Sequence, residues 1–183
     1  MHADVCGFIS EAVYDGRLHP DSANQNQRIL LLQNAHPGLA STGICFVPVE
    51  HSGCSQKSEP EGEVLRQIYL SLLEQRYRDR EGREHPMTAE EILVVTPYNV
   101  QVNYLKSILP DGACVGTVDK FQGQEAQAVL ISMVTSSGEE LPRNIDFLYS
   151  RNRLNVAISR ARSLAVILAS QSCLRFSATA SSR

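Results

Sequence analysis

The fold is decided by the stretch Ile92–Gln101, ILVVTPYNVQ. Four apolar residues in a row, Ile92 to Val95, leave no polar face for solvent, which suits a strand covered on both sides in a parallel sheet. The run stops at Thr96-Pro97-Tyr98, where proline shapes a turn. Asn99 is then placed to cap a helix with Val102, Leu105 and Leu109 inside, and Pro110-Asp111-Gly112 forms the next turn. Working outward, Cys114–Val118 and Ala128–Val134 read as a second and a third strand, a helix over 151–162 follows, and Leu164–Ala169 reads as a fourth strand. Strands alternating with helices predict an α/β fold, a parallel sheet flanked by helices that takes ligands beyond the carboxyl ends of its strands.

The first half of the chain is less regular. Residues 3–14 carry Val5, Phe8, Ile9, Ala12 and Val13 at helical spacing, with Asp4 as the expected cap and Gly16 as the stop. The polar stretch 17–42 reads mainly as loop around an Ile29–Leu32 patch. Gly43–Val49 reads as a short strand, and Pro48 suits an edge position. Ser58 and Glu61 form a capping-box pattern that opens a helix with Leu65, Ile68 and Leu72 on one face. The run Glu74–Glu84 mixes both signs of charge and reads as a solvated helix end followed by surface loop. One domain is expected over 1–170, with a poorly ordered tail over 171–183.

Composition narrows the class. With 183 residues, 43% of them hydrophobic and 20% charged, the chain builds a globular core without staples. The five cysteines are odd in number and lack C-x-x-C or zinc-type spacing. That argues against a structural metal or a secreted disulfide framework and points to a reducing cytoplasm. No apolar run approaches the length of a membrane span, and no signal-peptide pattern is present. A net charge of -3 argues against holding a polyanion by bulk charge, while leaving room for a local basic groove.

Three segments carry the candidate chemistry. In Ile92–Gln101, Thr96 offers a hydroxyl, Tyr98 a ring with a polar tip and Gln101 an amide, beside the free N–H groups of a helix start. In Gly116–Glu125, GTVDKFQGQE, six polar or charged side chains surround Gly123, which permits close backbone approach. In Ser150–Arg162, SRNRLNVAISRAR, the residues Leu154, Ala157, Ile158 and Ala161 make the buried stripe. On one continuous helix Arg153 and Arg160 share a flank, and Asn155, Ser159 and Arg162 share the other. Each segment also has a purely structural reading: Tyr98 packing behind a Pro97 turn, a polar surface loop, and solvated arginines.

Taken in order, TPYNVQ, GTVDKFQGQE and RLNVAISRAR resemble the closing motifs of superfamily 1 helicases. The nearest subgroup is superfamily 1B, and within it the helicase part of bacterial proteins that carry a RecB-like nuclease region. The opening MHADVCGFISEAVYDGRL resembles the RMHPD-type motif of that family and the helix after it. The resemblance covers about residues 1–170. It implies the second RecA-like domain of the P-loop NTPase helicases, a parallel sheet flanked by helices without a P-loop of its own.

The resemblance also implies roles. Arg160 matches the arginine finger. Gln122, Gly123, Glu125 and Arg153 fall to the nucleotide, and Thr96, Pro97, Tyr98, Gln101, Thr117 and Asp119 to the single strand. No metal ligand is expected. ATP and Mg²⁺ are implied for the intact parent, with neither held tightly by this chain alone. The partners implied are single-stranded nucleic acid, DNA favoured over RNA, an upstream RecA-like domain with Walker motifs, and a RecB-like nuclease region in the parent. Travel is implied to run 5′ to 3′.

The departures are equally definite. The chain has no G-x-x-x-x-G-K-[ST] loop and no acidic Mg²⁺-binding motif, which the family carries on its first RecA-like domain. Ala3 stands where the family has proline, and the arginine expected just before Met1 is missing. A fragment, inactive in isolation, is therefore expected. The competing reading is a non-catalytic α/β module that binds nucleic acid or docks a partner. A self-contained nucleotide-binding enzyme of another family is disfavoured by the missing phosphate loop.

Overall fold

A computed structural model of the chain describes residues 1–136 and 151–171. The elements run α1 (Ala3–Val13), β1 (Arg28–Leu30), β2 (Gly43–Pro48), α2 (Glu59–Leu73), β3 (Arg76–Arg78), β4 (Glu84–Pro86), β5 (Ile92–Val95), α3 (Asn99–Ile108), β6 (Cys114–Gly116), β7 (Ala126–Ser132), α4 (Arg151–Ile158) and β8 (Ala161–Ala169). Five strands form one parallel sheet in the order β2-β8-β7-β5-β6.

The sheet is covered on both faces, as the unbroken apolar runs require. Ile92, Val94, Leu130 and Val166 face α2 and α3, meeting Leu65, Ile68, Leu72 and Leu105. Their strand neighbours Leu93, Val95, Val129 and Ile131 face α1 and α4, meeting Val5, Ile9, Ala157 and Ile158. Every residue of β5 and β7 is buried. This is the α/β architecture of a RecA-like domain, with β2 and its Pro48 at the edge as expected.

Several local expectations are corrected. The loop assigned to 17–42 contains β1, because Ile29 is wholly buried in the core. The charged run 74–84 is no helix extension: α2 ends at Leu73, and β3 pairs antiparallel with both β1 and β4 in the order β1-β3-β4. Arg76, Arg78 and Glu84 take one face of this small sheet. Tyr77 and His85 take the other and stack with ring centroids 5.1 Å apart. The period-two alternation was hidden by the density of charge.

Helix α1 is capped by His2, whose Nδ1 accepts from Asp4 N at 3.2 Å, and Asp4 itself accepts from Thr42 Oγ1. Phe8, placed on the buried stripe by its spacing, is half exposed. The cap position of α3 is Tyr98 rather than Asn99, without a side-chain bond. Helix α4 stops at Ile158, and the following strand begins at Ala161 instead of Leu164. Ser150 and all of the expected tail except Gln171 lie outside the described residues.

Leu130 is wholly buried at the middle of the central strand, facing α2. Leu130→Ala is expected to cost about 3 kcal/mol through lost burial and the cavity left behind. Equilibrium urea unfolding checks this, with a lowered midpoint and an unchanged slope as the expected result.

Candidate functional site

All strands of the parallel sheet end on the same side, and two of the three candidate segments begin there. Past β5, Thr96 N continues the ladder by donating to Gly116 O at 3.1 Å. The Thr96 side chain is fully buried, and its Oγ1 has no hydrogen-bond partner among the described residues. Thr96 and Pro97 wall a crevice together with Met133, Arg153, Leu154 and Ala157. The enclosed part of the crevice measures about 20 Å³, room for one water. Tyr98 and Thr117 are half-buried at the starts of α3 and of the short 3-10 turn Val118–Phe121. Asp119, exposed on that turn, lies 3.8 Å from Arg153 NH1 and ties α4 to it. Arg153, expected with the nucleotide group, thus shares its crevice with Thr96 and Pro97.

Gln101 is a correction. It is fully buried, and its amide is spent inside the protein. Its Oε1 accepts from Ser58 N, and its Nε2 donates to Ser58 O, each at 3.0 Å, and to Ser132 Oγ at 3.3 Å. It completes the cap of α2, leaving nothing for a ligand. The capping box at Ser58 is half as expected: Ser58 Oγ accepts from Glu61 N, but Gln101 takes the place intended for the Glu61 carboxylate.

The segment 117–125 leaves the carboxyl end of β6 and reaches the amino end of β7, so it runs from one end of the sheet to the other. Buried Phe121 anchors it from below, and Gln122 to Glu125 are exposed. Gly123 has φ +80°, a conformation that favours glycine. Ala126 N donates to Arg160 O at 3.0 Å, which brings Glu125 and Arg160 side by side at the amino ends of β7 and β8. Arg160 does not lie on a helix flank: the chain turns at Ser159-Arg160, and Arg162 is already in the strand. Arg162 Nε donates to Glu125 Oε2 at 3.3 Å. Arg160 Nε and Asn155 Oδ1 are buried without a partner among the described residues.

Beside this edge opens a polar bowl of about 550 Å³, walled by Met1, Tyr77, Asp79, His85, Glu125 and Arg162. The small sheet supplies its far wall, which no motif had marked. Asp79 organises that wall by accepting from Arg83 N at 2.9 Å, Arg83 Nε at 3.0 Å and His85 Nε2 at 2.8 Å. Burial pushes the Asp79 carboxyl up, but the bonds from His85 and Arg83 outweigh it and bring it down to about 2. Burial, with the Glu91 carboxylate that accepts the Tyr77 hydroxyl at 3.2 Å, pushes Tyr77 up. Among the described residues no group of three or more His, Cys, Asp or Glu is arranged to hold a metal ion. None of the described helices is long and apolar enough to cross a membrane.

The family described as "AAA domain" matches residues 1–172. The DNA polymerase alpha-associated DNA helicase A of Schizosaccharomyces pombe is 29% identical over 173 residues, covering 88% of this chain and 25% of that protein. The DNA-binding protein SMUBP-2 of Rattus norvegicus is 32% identical over 180 residues, covering 88% of this chain and 16% of that protein. The uncharacterized ATP-dependent helicase MJ0104 of Methanocaldococcus jannaschii is 29% identical over 197 residues, covering 96% of this chain and 26% of that protein. The chain thus spans about a quarter or less of the length of these relatives.

The depressed Asp79 carboxyl makes the hairpin wall acid-sensitive. A carboxylate held below its ordinary value near 3.9 stabilises the fold above that value, and the contribution is lost as pH falls toward about 2. Wild type is expected to lose stability across that window. Asp79→Asn should be less stable at neutral pH and flatter below pH 4, which thermal melts across an acid series would read.

Proposed function

This chain belongs to the AAA domain family, and on that premise we propose that it is the C-terminal motor domain of an ATP-dependent superfamily 1 helicase. The observation that carries the proposal is the segment 117–125, which joins the crevice end of the sheet to the edge where Glu125 stands beside Arg160. One short stretch of chain therefore touches both places that a motor has to couple.

In the proposed arrangement ATP lies between this domain and an upstream RecA-like domain with Walker motifs, and that domain also holds Mg²⁺. Arg160, whose Nε is buried without a partner, neutralises charge developing on the γ-phosphate, a role worth roughly 10³–10⁵ in rate in comparable enzymes. Glu125 faces the sugar or phosphate end of the nucleotide, with Gln122 and Gly123 shaping that wall. Thr96, Pro97, Tyr98, Thr117 and Asp119 face the sugar–phosphate backbone of the strand, which positions it without reading sequence. Arg153 joins them by its place on the crevice. Single-stranded DNA is the proposed strand and the cytoplasm the proposed compartment. Segment 117–125 passes closure around the nucleotide on to the strand grip.

The second reading, a non-catalytic docking module, draws on the lack of a G-x-x-x-x-G-K-[ST] phosphate loop in this sequence. Turnover by the intact parent separates the two.

In that parent Arg160→Ala should lower ATP turnover by at least about 10²-fold while leaving nucleotide affinity within a few-fold, because the finger acts chiefly on the transition state. Arg162→Ala should do less, since Arg162 is engaged by Glu125. Equal turnover for wild type and Arg160→Ala, with nucleotide binding intact, would remove Arg160 from the mechanism.

The strand assignment is read separately. Arg153→Ala together with Thr117→Ala should raise the half-saturating concentration of a single-stranded oligonucleotide, measured by ATPase stimulation. The dependence on salt should become shallower, because a phosphate contact is lost. An unchanged half-saturation at both low and high salt would show that these residues do not hold the strand.

A further inference from the structure

Glu61 is a carboxylate that the fold has buried completely, on the first turn of α2 and across the sheet from the crevice. Its Oε2 accepts from Ser132 Oγ at 2.6 Å and from Val134 N at 2.9 Å, and its Oε1 lies 2.8 Å from His51 Nε2. A charge this deep is expensive, and an apolar side chain of similar volume would fill the space at less cost. The bonds it makes indicate what it does.

They converge on an unusual piece of backbone. Val134 is buried and β-branched, yet has φ +71°. Thr135 N donates to Met133 O at 2.8 Å. A two-residue hydrogen bond around a positive φ is a γ-turn of the strained hand, which a valine rarely adopts. Just before it Met133 N still donates to Leu168 O, the last link to β8. The turn therefore lies where the central strand leaves the sheet, and its one free donor, Val134 N, goes to Glu61.

The far side of the turn is held by the same group at one remove. His51 Nδ1 lies 2.7 Å from Ser136 Oγ, and Ser136 also accepts from Cys54 N and donates its own N–H to Cys54 O. Ser132 Oγ accepts from Gln101 Nε2 as well, so the network includes α3, which starts directly after Thr96-Pro97-Tyr98. Met133 and Thr96 wall one crevice from two strands, and both strand exits are tied to Glu61.

We infer that Glu61 is a positioning residue: it pins the strained turn at Val134, thereby setting Met133 against Thr96 and fixing the shape of the strand grip. The inference rests on the proposed strand site at that crevice. Glu61 is not among the residues that wall the crevice, and backbone strain that the surroundings must hold in place clusters at functional sites.

The test uses the intact parent, an oligothymidylate as the probe, and the variants Glu61→Gln, Glu61→Leu and Ser132→Ala. Glutamine can point its carbonyl oxygen at Ser132 and Val134 and donate its amide to His51, so Glu61→Gln should behave as wild type. Glu61→Leu should raise the half-saturating oligonucleotide concentration for ATPase stimulation about tenfold, with basal turnover kept. A folded Glu61→Leu with wild-type half-saturation overturns the inference. If that variant fails to fold, Ser132→Ala decides, with a raised half-saturation in support and an unchanged one against. Amide exchange on the variants reads the pin without any ligand. Faster exchange confined to residues 133–136 supports it, and unchanged exchange there overturns it. A wild-type parent that the oligonucleotide does not stimulate at all removes the strand reading instead, and the exchange result alone then judges the pin.

Discussion

The whole molecule follows from the burial of β7 on every side. All seven residues from Ala126 to Ser132 are buried, with β5 and β8 on the two edges and a helical layer on each face. A strand in that position has no solvent face, so every polar group on it has to find a partner inside the protein. Gln127 meets Ser163 Oγ at 2.8 Å, and Ser132 meets Glu61 and Gln101. The chain can display polar chemistry only where the central strands begin and end. Both candidate regions lie at those limits: the crevice at the carboxyl ends and the Glu125–Arg160 edge at the amino ends.

The separation of the two regions gives segment 117–125 its importance. A connection between parallel strands has to travel the length of the sheet, and here it passes β5 on the way from β6 to β7, on the face shared with α1 and α4, held by Phe121. Its start touches the crevice through Val118 and its end presents Glu125. In the proposed motor, a shift at one end is transmitted along a few residues anchored once, a short mechanical path for coupling two sites.

Charge is used locally. The chain as a whole is slightly acidic, at -3, so long-range attraction contributes little to any grip on phosphate. The arginines near the site are constrained instead: Arg153 lies beside Asp119 and Arg162 beside Glu125. Arg160 is held by its backbone bond to Ala126, with a buried Nε that no described group satisfies. An arginine placed this way acts through position and desolvation more than through net charge.

The parallel α/β fold is legible in the residues alone, because an unbroken apolar run such as ILVV can be satisfied only by cover on both faces. So are the three segments from which the candidate site is built, because each follows or precedes such a run. Which of their residues remain available depends on contacts between elements far apart in the chain. Gln101 looks like a free amide one turn into a helix, but Ser58 and Ser132 consume it from elements far away in the chain. Arg160 and Arg162 fall on opposite flanks of one helix on paper, yet the helix ends at Ile158 because β8 begins pairing with β7 at Ala161. The hairpin of Tyr77, Asp79 and His85 was concealed by charge, since local patterning registers solvation and misses a strand whose partner lies about 50 residues earlier. Glu61 was legible only as a cap, because Ser132 and Val134 lie about 70 residues downstream and its proposed role as a pin depends on a backbone strain that no side-chain pattern records.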